Sequence, residues 1–448
     1  MPDLVLDVRL DGHDEPVGKL VRDEKGAIAF AYEHGFLKHP RAHGVSLSLP
    51  LTDEPFGDVP TRAFFENLLQ ERDDQLLRVK AREGLAHDDI VGLLFHLGAD
   101  CPGAISVLPQ GAPPAKIPGD LEADYTPLSD EQLVDVVNAL HRGQRLPDER
   151  RDPSPLAGVR GKIALTLLPD GRFAEPRGGA PTTHILKVPD RDRPQEVRFE
   201  RAAMTLSRRF QLETAQVEHR VIGNIDALLI TRFDRSRDQQ GRIIRIHQED
   251  FAQALGLPRA LKYQRDGSGR RRFDADAISW VLDQTRRPVV SRYTFIAATL
   301  FDLLVGNTDA HAKNLGLLYL SPTPVLAPRY DVLPTRLDRS VTDKLSCHIG
   351  GAQRLEDITT EDMKRFLAAL GILLPAPQRR LLSRIGSDFI RFLVSELPAI
   401  DQAHGRTWGD LIASNIRHLA PVLGVEIPDA VKDRDAFVRG RAGGWAFS

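Results

Sequence analysis

The sequence predicts a two-lobed α+β protein, strand-rich in its N-terminal lobe and mostly helical in its C-terminal lobe. Three observations carry that expectation. Short alternating apolar segments dominate up to about residue 245, apolar positions at helical spacing dominate from Gln248 onward, and the strands come before the helices. The chain has 448 residues, enough for two large lobes or about three domain-sized units. Its 60 basic and 62 acidic residues leave a formal charge of −2, which excludes a histone-like polybasic protein while leaving a local basic patch open. Cys101 and Cys347 lie far apart and form no CxxC, so neither a disulfide framework nor a cysteine zinc site is expected. The start, MPDLVLDVRLDGHDEP, is acidic with no apolar h-region, and no apolar run approaches the roughly 20 residues of a bilayer span. A cytoplasmic protein with no membrane partner is the expectation.

Residues 3–9 and Ala27 to Tyr32 alternate as short strands, and Val45 to Leu51 (VSLSLPL) reads as another, closed by prolines. Over 61–80 the period changes, with Phe64, Phe65, Leu68, Leu69, Leu76 and Leu77 at helical spacing. Residues 102–130 are proline- and glycine-rich, a long connection with one strand at ISVLP. A helix follows over Ser129 to Leu140 with a cap at Ser129-Asp130-Glu131-Gln132, and the charged, proline-bearing stretch from His141 to Pro155 suits a domain boundary. Strands are expected at Lys162 to Leu168 and His184 to Val188 around a Gly/Pro-rich hairpin, then a helix over Glu196 to Phe210. Two more strands follow near Ala215 to Val221 and Ala227 to Phe233. The apolar helix Tyr293 to Val305 stops at Gly306, and apolar helical stretches alternate with loops from about Thr359. Residues 431–448 read as a frayed tail. The expected organisation is an N-terminal module over 1–110, a nucleotide-binding part over 150–245 and a helical lobe over 246–430.

Gly306-Asn-Thr-Asp309-Ala-His311-Ala-Lys-Asn314 is a polar loop between an apolar helix and the apolar segment LGLLYL, where catalytic groups commonly sit. Asp309 and Asn314 are spaced D-x-x-x-x-N, as in the catalytic loop of protein kinases, where the Asp accepts the acceptor hydroxyl's proton and the Asn holds a metal ion. That spacing alone is more often structural. LGLLYL, the turn SPTP and VLAPRYD then form a hairpin ending at Asp331, which supplies the second metal-holding oxygen that phosphoryl transfer with magnesium needs. Upstream, Ala157, Gly158, Val159, Arg160, Gly161 and Lys162 form a glycine-bearing stretch before a strand, readable as a phosphate-covering loop or as a plain hairpin turn. Lys187 within HILKVP reads equally as a phosphate-bridging lysine, with Glu200 or Glu196 as ion-pair partner, or as an edge-strand lysine. The strand ending at Thr231, Arg232 and Phe233 would lead to a hinge whose backbone could bond an adenine ring. Asp309-x-His311 also invites a metal-hydrolase reading, but there is no HExxH and no second His at ligand spacing.

Taken together these motifs resemble the HipA-type serine/threonine kinases, toxins of bacterial toxin–antitoxin pairs. SLSLPL with FFENLLQE resembles that family's N-terminal module, LAGVRGKIAL its glycine-rich loop, and PTTHILKVP its nucleotide-lysine strand. ITRFDR, IHQEDFAQALGLP and Lys262-Tyr263 resemble its middle section, and NTDAHAKN followed by APRYDVLPT its catalytic loop and metal-binding segment. The resemblance covers nearly the whole chain. It implies a two-lobed protein-kinase-like fold, ATP and Mg2+ as cofactors, and Asp309 as catalytic base. It implies Asn314 and Asp331 as metal ligands, and nucleotide contacts from the 157–162 loop, Lys187, Thr231 to Phe233, His311, Lys313, Asn314, Tyr330 and Asp331. It also implies growth arrest and persistence through phosphorylation of a translation component such as an aminoacyl-tRNA synthetase. A helix-turn-helix antitoxin of HipB type is the implied partner, carrying the complex to operator DNA. The sequence departs from the family at the serine that becomes autophosphorylated, where Pro155 stands with Ser154 just before it, and at the loop's Gln, which is Arg160 here. Ser154 is the remaining candidate for self-phosphorylation. A catalytically silent scaffold for antitoxin and DNA, or a kinase of a small molecule, are the alternative readings.

Overall fold

The structure, a computed structural model, describes residues 3–69, 73–144, 161–269 and 271–439. It divides into two compact units, Met1–Val197 with Ala215–Ala260 and Gly316–Ala327, and Arg198–Thr214 with Leu261–Leu315 and Pro328–Ser448. The N-terminal module and the nucleotide-binding part, expected as separate domains, therefore share one unit.

That unit opens with an antiparallel sheet of β1 (Leu4–Leu10), β2 (Gly18–Arg22), β3 (Ile28–Tyr32) and β4 (Ile105–Pro109), in the order β3-β2-β1-β4. Alternation along the strands turns Leu6, Val8, Leu20 and Phe30 into a core shared with Phe64, Phe65 and Leu94. Those three lie on α2 (Asp58–Glu66) and α4 (Ile90–Leu97); the one-turn α1 (His34–Leu37) and α3 (Asp73–Glu83) complete the module. The helix expected over 61–80 is thus two helices, parted after Glu66. The strand expected over Val45 to Leu51 is absent. Leu49 N folds back onto Ser46 O at 3.1 Å, and the Ser48 hydroxyl donates to Gln253 O at 2.7 Å, so this segment forms a turn.

The second sheet of the unit runs β5-β7-β6-β8-β10-β9, from β5 (Tyr125–Pro127), β6 (Lys162–Leu167), β7 (Phe173–Pro176), β8 (His184–Lys187), β9 (Val217–Ile222) and β10 (Ile225–Thr231). The sequence signal misses β5 and β7, which are short and flanked by glycine and proline. Packed beside this sheet is α5 (Asp130–His141), opened by the expected Ser129/Gln132 capping box; its Val136, Val137 and Leu140 join Ile163, Leu165, Leu186 and Leu229 in one core. The helix α6 (Glu196–Arg209) crosses the boundary between units. Two small sheets follow, β11 (Arg235–Arg237) with β12 (Ile243–Arg245), and β13 (Gln248–Asp250) with β14 (Gly316–Leu318) and β15 (Val325–Leu326); α7 (Phe251–Ala254) follows β13.

The second unit is built on α8 (Ala275–Asp283), α9 (Pro288–Val305), α10 (Thr360–Ala369), α11 (Pro375–His404), α12 (Arg406–Leu423) and α13 (Asp429–Lys432), with a hairpin of β16 (Lys344–Ile349) and β17 (Ala352–Arg354). Phe301, Phe389, Trp408 and Leu411 are wholly buried among them. Pro288 at the first position lets α9 start before Tyr293. By length and composition α9 could cross a membrane, but most of it is buried within the unit, as in a core helix. The frayed tail expected over 431–448 fails for its described part, 431–439. Val431 is fully buried, and Arg434 donates to Asp401 at 2.8 and 2.9 Å and to Asp410 at 3.0 Å. Residues 440–448 lie outside the described residues.

Candidate active site

The loop that follows α9 starts from a fixed point. Gly306 has φ 88°, and a Cβ there would stand 2.7 Å from Leu411 Cδ2, so both backbone and space call for glycine. The last carbonyls of α9 are received by α12. Asn415 Nδ2 donates to Leu303 O and Leu304 O at 3.1 Å, and Trp408 Nε1 donates to Val305 O at 3.1 Å.

Beyond Gly306, side chains fold the loop on itself. Asn307 Oδ1 accepts the Asp309 N–H at 3.1 Å; the Asp309 carbonyl accepts His311 N at 2.8 Å and Asn314 Nδ2 at 3.0 Å. The D-x-x-x-x-N spacing therefore brings Asn314 back onto Asp309, with the Asn314 amide nitrogen donating to the backbone. Thr308 is clamped on both sides: its N–H donates to Thr335 Oγ1 at 2.8 Å, and its carbonyl accepts Ser346 N and Oγ at 3.1 and 2.9 Å.

The Asp331 segment is tied to the same loop. Asp302 Oδ1 accepts Asn307 Nδ2 at 3.0 Å and also takes the Arg329 guanidinium, so one buried carboxylate holds both segments. Burial pushes the Asp302 carboxyl up, while Arg329 and Asn307 oppose the shift. Tyr330 adds a second tie, its hydroxyl donating to Lys313 O at 2.8 Å. Asp331 itself has φ 56°, a left-handed conformation uncommon outside glycine and found most often at functional or strained sites.

Asn307, Asn314, Arg329, Tyr330 and Asp331 line a single pocket, floored by apolar side chains that include Phe273 and Phe366. Asp309 is not part of that lining but feels the charge of Asp331. Burial, with Asp331 adding to it, pushes the Asp309 carboxyl up to about 6, against a Tyr263 hydrogen bond and the nearby Lys262 and Arg265 charges. The His311 ring is buried and meets Tyr263 edge-on at 5.2 Å, and Lys313 is buried.

The other expected residues belong to the first unit. Lys162 and Lys187 are direct partners across β6 and β8, so their side chains leave the same face of the sheet. Gly161 precedes them, its carbonyl taking the Val188 N–H at 2.9 Å. Glu196 and Glu200 are both buried on α6. At the expected hinge, Thr231 N donates to Gln216 O at 2.9 Å and Arg232 N to Thr183 O at 3.0 Å. Those two amides are taken by the protein's own backbone and are not the ones that would meet a base. The Arg232 side chain is likewise committed, in a two-point ion pair to buried Asp234 at 3.0 and 2.9 Å. Ala157, Gly158, Val159, Arg160 and Ser154 lie outside the described residues.

Among the described residues no group of three His, Cys, Asp or Glu stands ready for a metal ion. Asp331 and Asn314 offer two hard oxygens in one pocket, a donor set that suits magnesium completed by phosphate and water rather than a metal held by protein alone. Sequence reasoning passed over Tyr263, Asp302, Asn415 and Trp408 as parts of the site, because their partners lie five to more than a hundred residues away. Only Asp302, the one carboxylate in the apolar α9, carried a local signal.

The HipA-like C-terminal domain family matches residues 154–391, and the HipA N-terminal domain family matches residues 6–108. The protein Y4mE of Sinorhizobium fredii, which carries a kinase name, is 34% identical over 383 residues, 86% of this chain and 90% of that one. The serine/threonine-protein kinase toxin HipA of Shewanella oneidensis is 28% identical over 354 residues, 76% of this chain and 78% of that protein. A solved structure of the Shewanella oneidensis toxin–antitoxin system, HipA with HipB and its operator DNA, matches with a TM-score of 0.74 and 25% identity, covering 94% of this chain and 100% of that one.

Proposed function

This chain belongs to the HipA family, and on that premise we propose that it is a serine/threonine protein kinase, dependent on ATP and magnesium, that acts as the toxin of a toxin–antitoxin pair in the cytoplasm. The observation that carries the reading is the convergence of Asp309, Asn314 and Asp331 through the Asp302–Asn307–Arg329 tie. Asp309 positions the acceptor hydroxyl and takes its proton. Asn314 and Asp331 hold the metal, which when bound supplies positive charge against the transferring phosphoryl group. Lys187, with Lys162 on the same face, contacts the nucleotide phosphates, and the 157–161 stretch covers them. His311, Lys313 and Tyr330 fix the catalytic loop around that arrangement.

The protein acceptor belongs to the translation machinery, with an aminoacyl-tRNA synthetase as the substrate class. The partner is a helix-turn-helix antitoxin of HipB type, through which the complex reaches operator DNA; the relative of known structure is seen with HipB and operator DNA. A charge of −2 on this chain favours leaving DNA reading to that partner. Ser154 is the proposed site of self-phosphorylation, since Pro155 has no hydroxyl.

Incubation with γ-labelled ATP, magnesium and a cell lysate tests the reading. The expected result is label on serine or threonine of a lysate protein, lost in Asp309→Asn and Asp331→Asn. Label on a small molecule only, or none, overturns it. Lys187→Ala should weaken binding of an ATP analogue about tenfold or more in calorimetry; unchanged affinity would return Lys187 to a plain strand lysine.

A further inference from the structure

Beside Asp309 stand two side chains that the proposed reaction leaves unused. The Tyr263 hydroxyl makes a hydrogen bond to the Asp309 carboxylate. Arg265 lies over the Tyr263 ring, its guanidinium carbon 3.8 Å from the centroid. The segment that carries both is pinned from two sides. Lys262 O accepts Ala312 N at 3.0 Å, which joins it to the catalytic loop, and Gln264 Oε1 accepts His348 N at 2.7 Å, which joins it to β16.

Two features of this stack go beyond packing. A hydroxyl pointed at a buried carboxylate fixes one oxygen of that carboxylate and leaves the other for the acceptor. Arg265 Nη1 is buried without a hydrogen-bond partner, while the guanidinium sits over the ring and its charge reaches Asp309. A cation over the ring face withdraws electron density from the phenol and makes its O–H a better donor.

We infer that Tyr263 and Arg265 are positioning residues for phosphoryl transfer: Tyr263 orients the Asp309 carboxylate toward the acceptor hydroxyl, and Arg265 acts on Asp309 through the Tyr263 ring. This rests on the reading of Asp309 as the base.

The test uses the full chain with magnesium and ATP, following ADP release with water as acceptor, alongside thermal melting. Tyr263→Phe keeps the ring and the stack but loses the hydroxyl. It should lower kcat by roughly ten- to a hundredfold, with KM for ATP and the melting temperature unchanged. Arg265→Met should lose a smaller factor, and Arg265→Lys should recover most of it. In the double variant Tyr263→Phe/Arg265→Met the loss should not exceed that of Tyr263→Phe alone. Multiplying losses would mean that Arg265 acts on Asp309 by its own charge, or on substrate, and would overturn its role through the ring. A fall in melting temperature or a rise in KM in place of the kcat effect would overturn the positioning role. Asp309→Asn, run in parallel, separates the two readings. Full turnover there overturns Asp309 as base and the inference with it; loss there with full turnover in Tyr263→Phe overturns the inference alone.

Discussion

At Asp309 two effects act in the same direction. Burial disfavours the carboxylate, and the neighbouring Asp331 charge disfavours it further, which is why the group rises to about 6 against a usual value near 3.9. A base must be ionised to take a proton, and magnesium on Asp331 offsets the like charge, so turnover should climb about tenfold per pH unit below an inflection at or under about 6 and level off above it. A pH–rate profile measured between about pH 4 and 8 at saturating magnesium checks this; a profile flat over the whole range would remove Asp309 as the titrating base. Asp309→Asn should lose roughly 100- to 10,000-fold in turnover while still binding nucleotide. Asp331→Asn should in addition weaken magnesium-dependent nucleotide binding. The spacing of Asp309 and Asn314 was legible in the sequence because a loop this short must bring them close. Tyr263 was quoted there only within a wider likeness, since nothing local ties residue 263 to residue 309.

At the scale of elements, the loop that carries Asp309 is as well placed as the end of α9. Gly306 ends that helix in a left-handed conformation, a feature the sequence foretold from glycine after an apolar helical run. Contact with Leu411 adds a constraint that sequence could not supply. Gly306→Ala should therefore cost about 1–3 kcal/mol in urea unfolding and reduce turnover more than Ala substitutions elsewhere on the α9 surface. A loss below about 0.5 kcal/mol would show that the close approach to Leu411 relaxes freely. The pairing of β13 with β14 adds a strand that the expectation of a mostly helical C-terminal lobe with one hairpin did not contain. Gln248 partners Leu318 some seventy residues later, and a three-residue β13 leaves too little alternation to detect.

Across the whole molecule, long-range polar ties hold each unit together. In the first, Glu249 of β13 accepts Leu47 N at 3.0 Å, Ser46 Oγ at 2.5 Å and the Tyr319 hydroxyl at 2.5 Å, joining the N-terminal module to the β13–β14 sheet. Burial pushes its carboxyl up to about 7, only partly offset by those donors. Unfolded, the group titrates near 4.3, so between about 4.3 and 7 the folded state binds the extra proton. Stability should fall as pH rises through that window, and Glu249→Gln should flatten the dependence. Melting temperatures from pH 5 to 8 test this; an unchanged slope in the variant would place the titration elsewhere. In the second unit, Arg434 clamps α11 and α12 through Asp401 and Asp410. Arg434→Ala leaves both carboxylates short of a partner and should lower stability by about 1–2 kcal/mol, read from the urea midpoint.

What the sequence determined by itself is local. Alternation marked β1, β3, β6, β8 and β10, and helical spacing with its caps marked α5, α6 and α9, because each pattern is written in residues that are near neighbours along the chain. The polar loop and the β14–β15 hairpin were readable for the same reason, although β15 stops at Leu326 and the expected end at Asp331 lies beyond it. Only the tertiary structure decided what meets at the site. Asp302 joins residues 307 and 329, and Asn415 caps a helix more than a hundred residues upstream, while Thr231 and Arg232 spend their amides on their own sheet. Each of these is a buried polar group finding its partner. A buried donor or acceptor must be satisfied by whatever the folded chain brings near, and that neighbour is set by packing rather than by sequence distance.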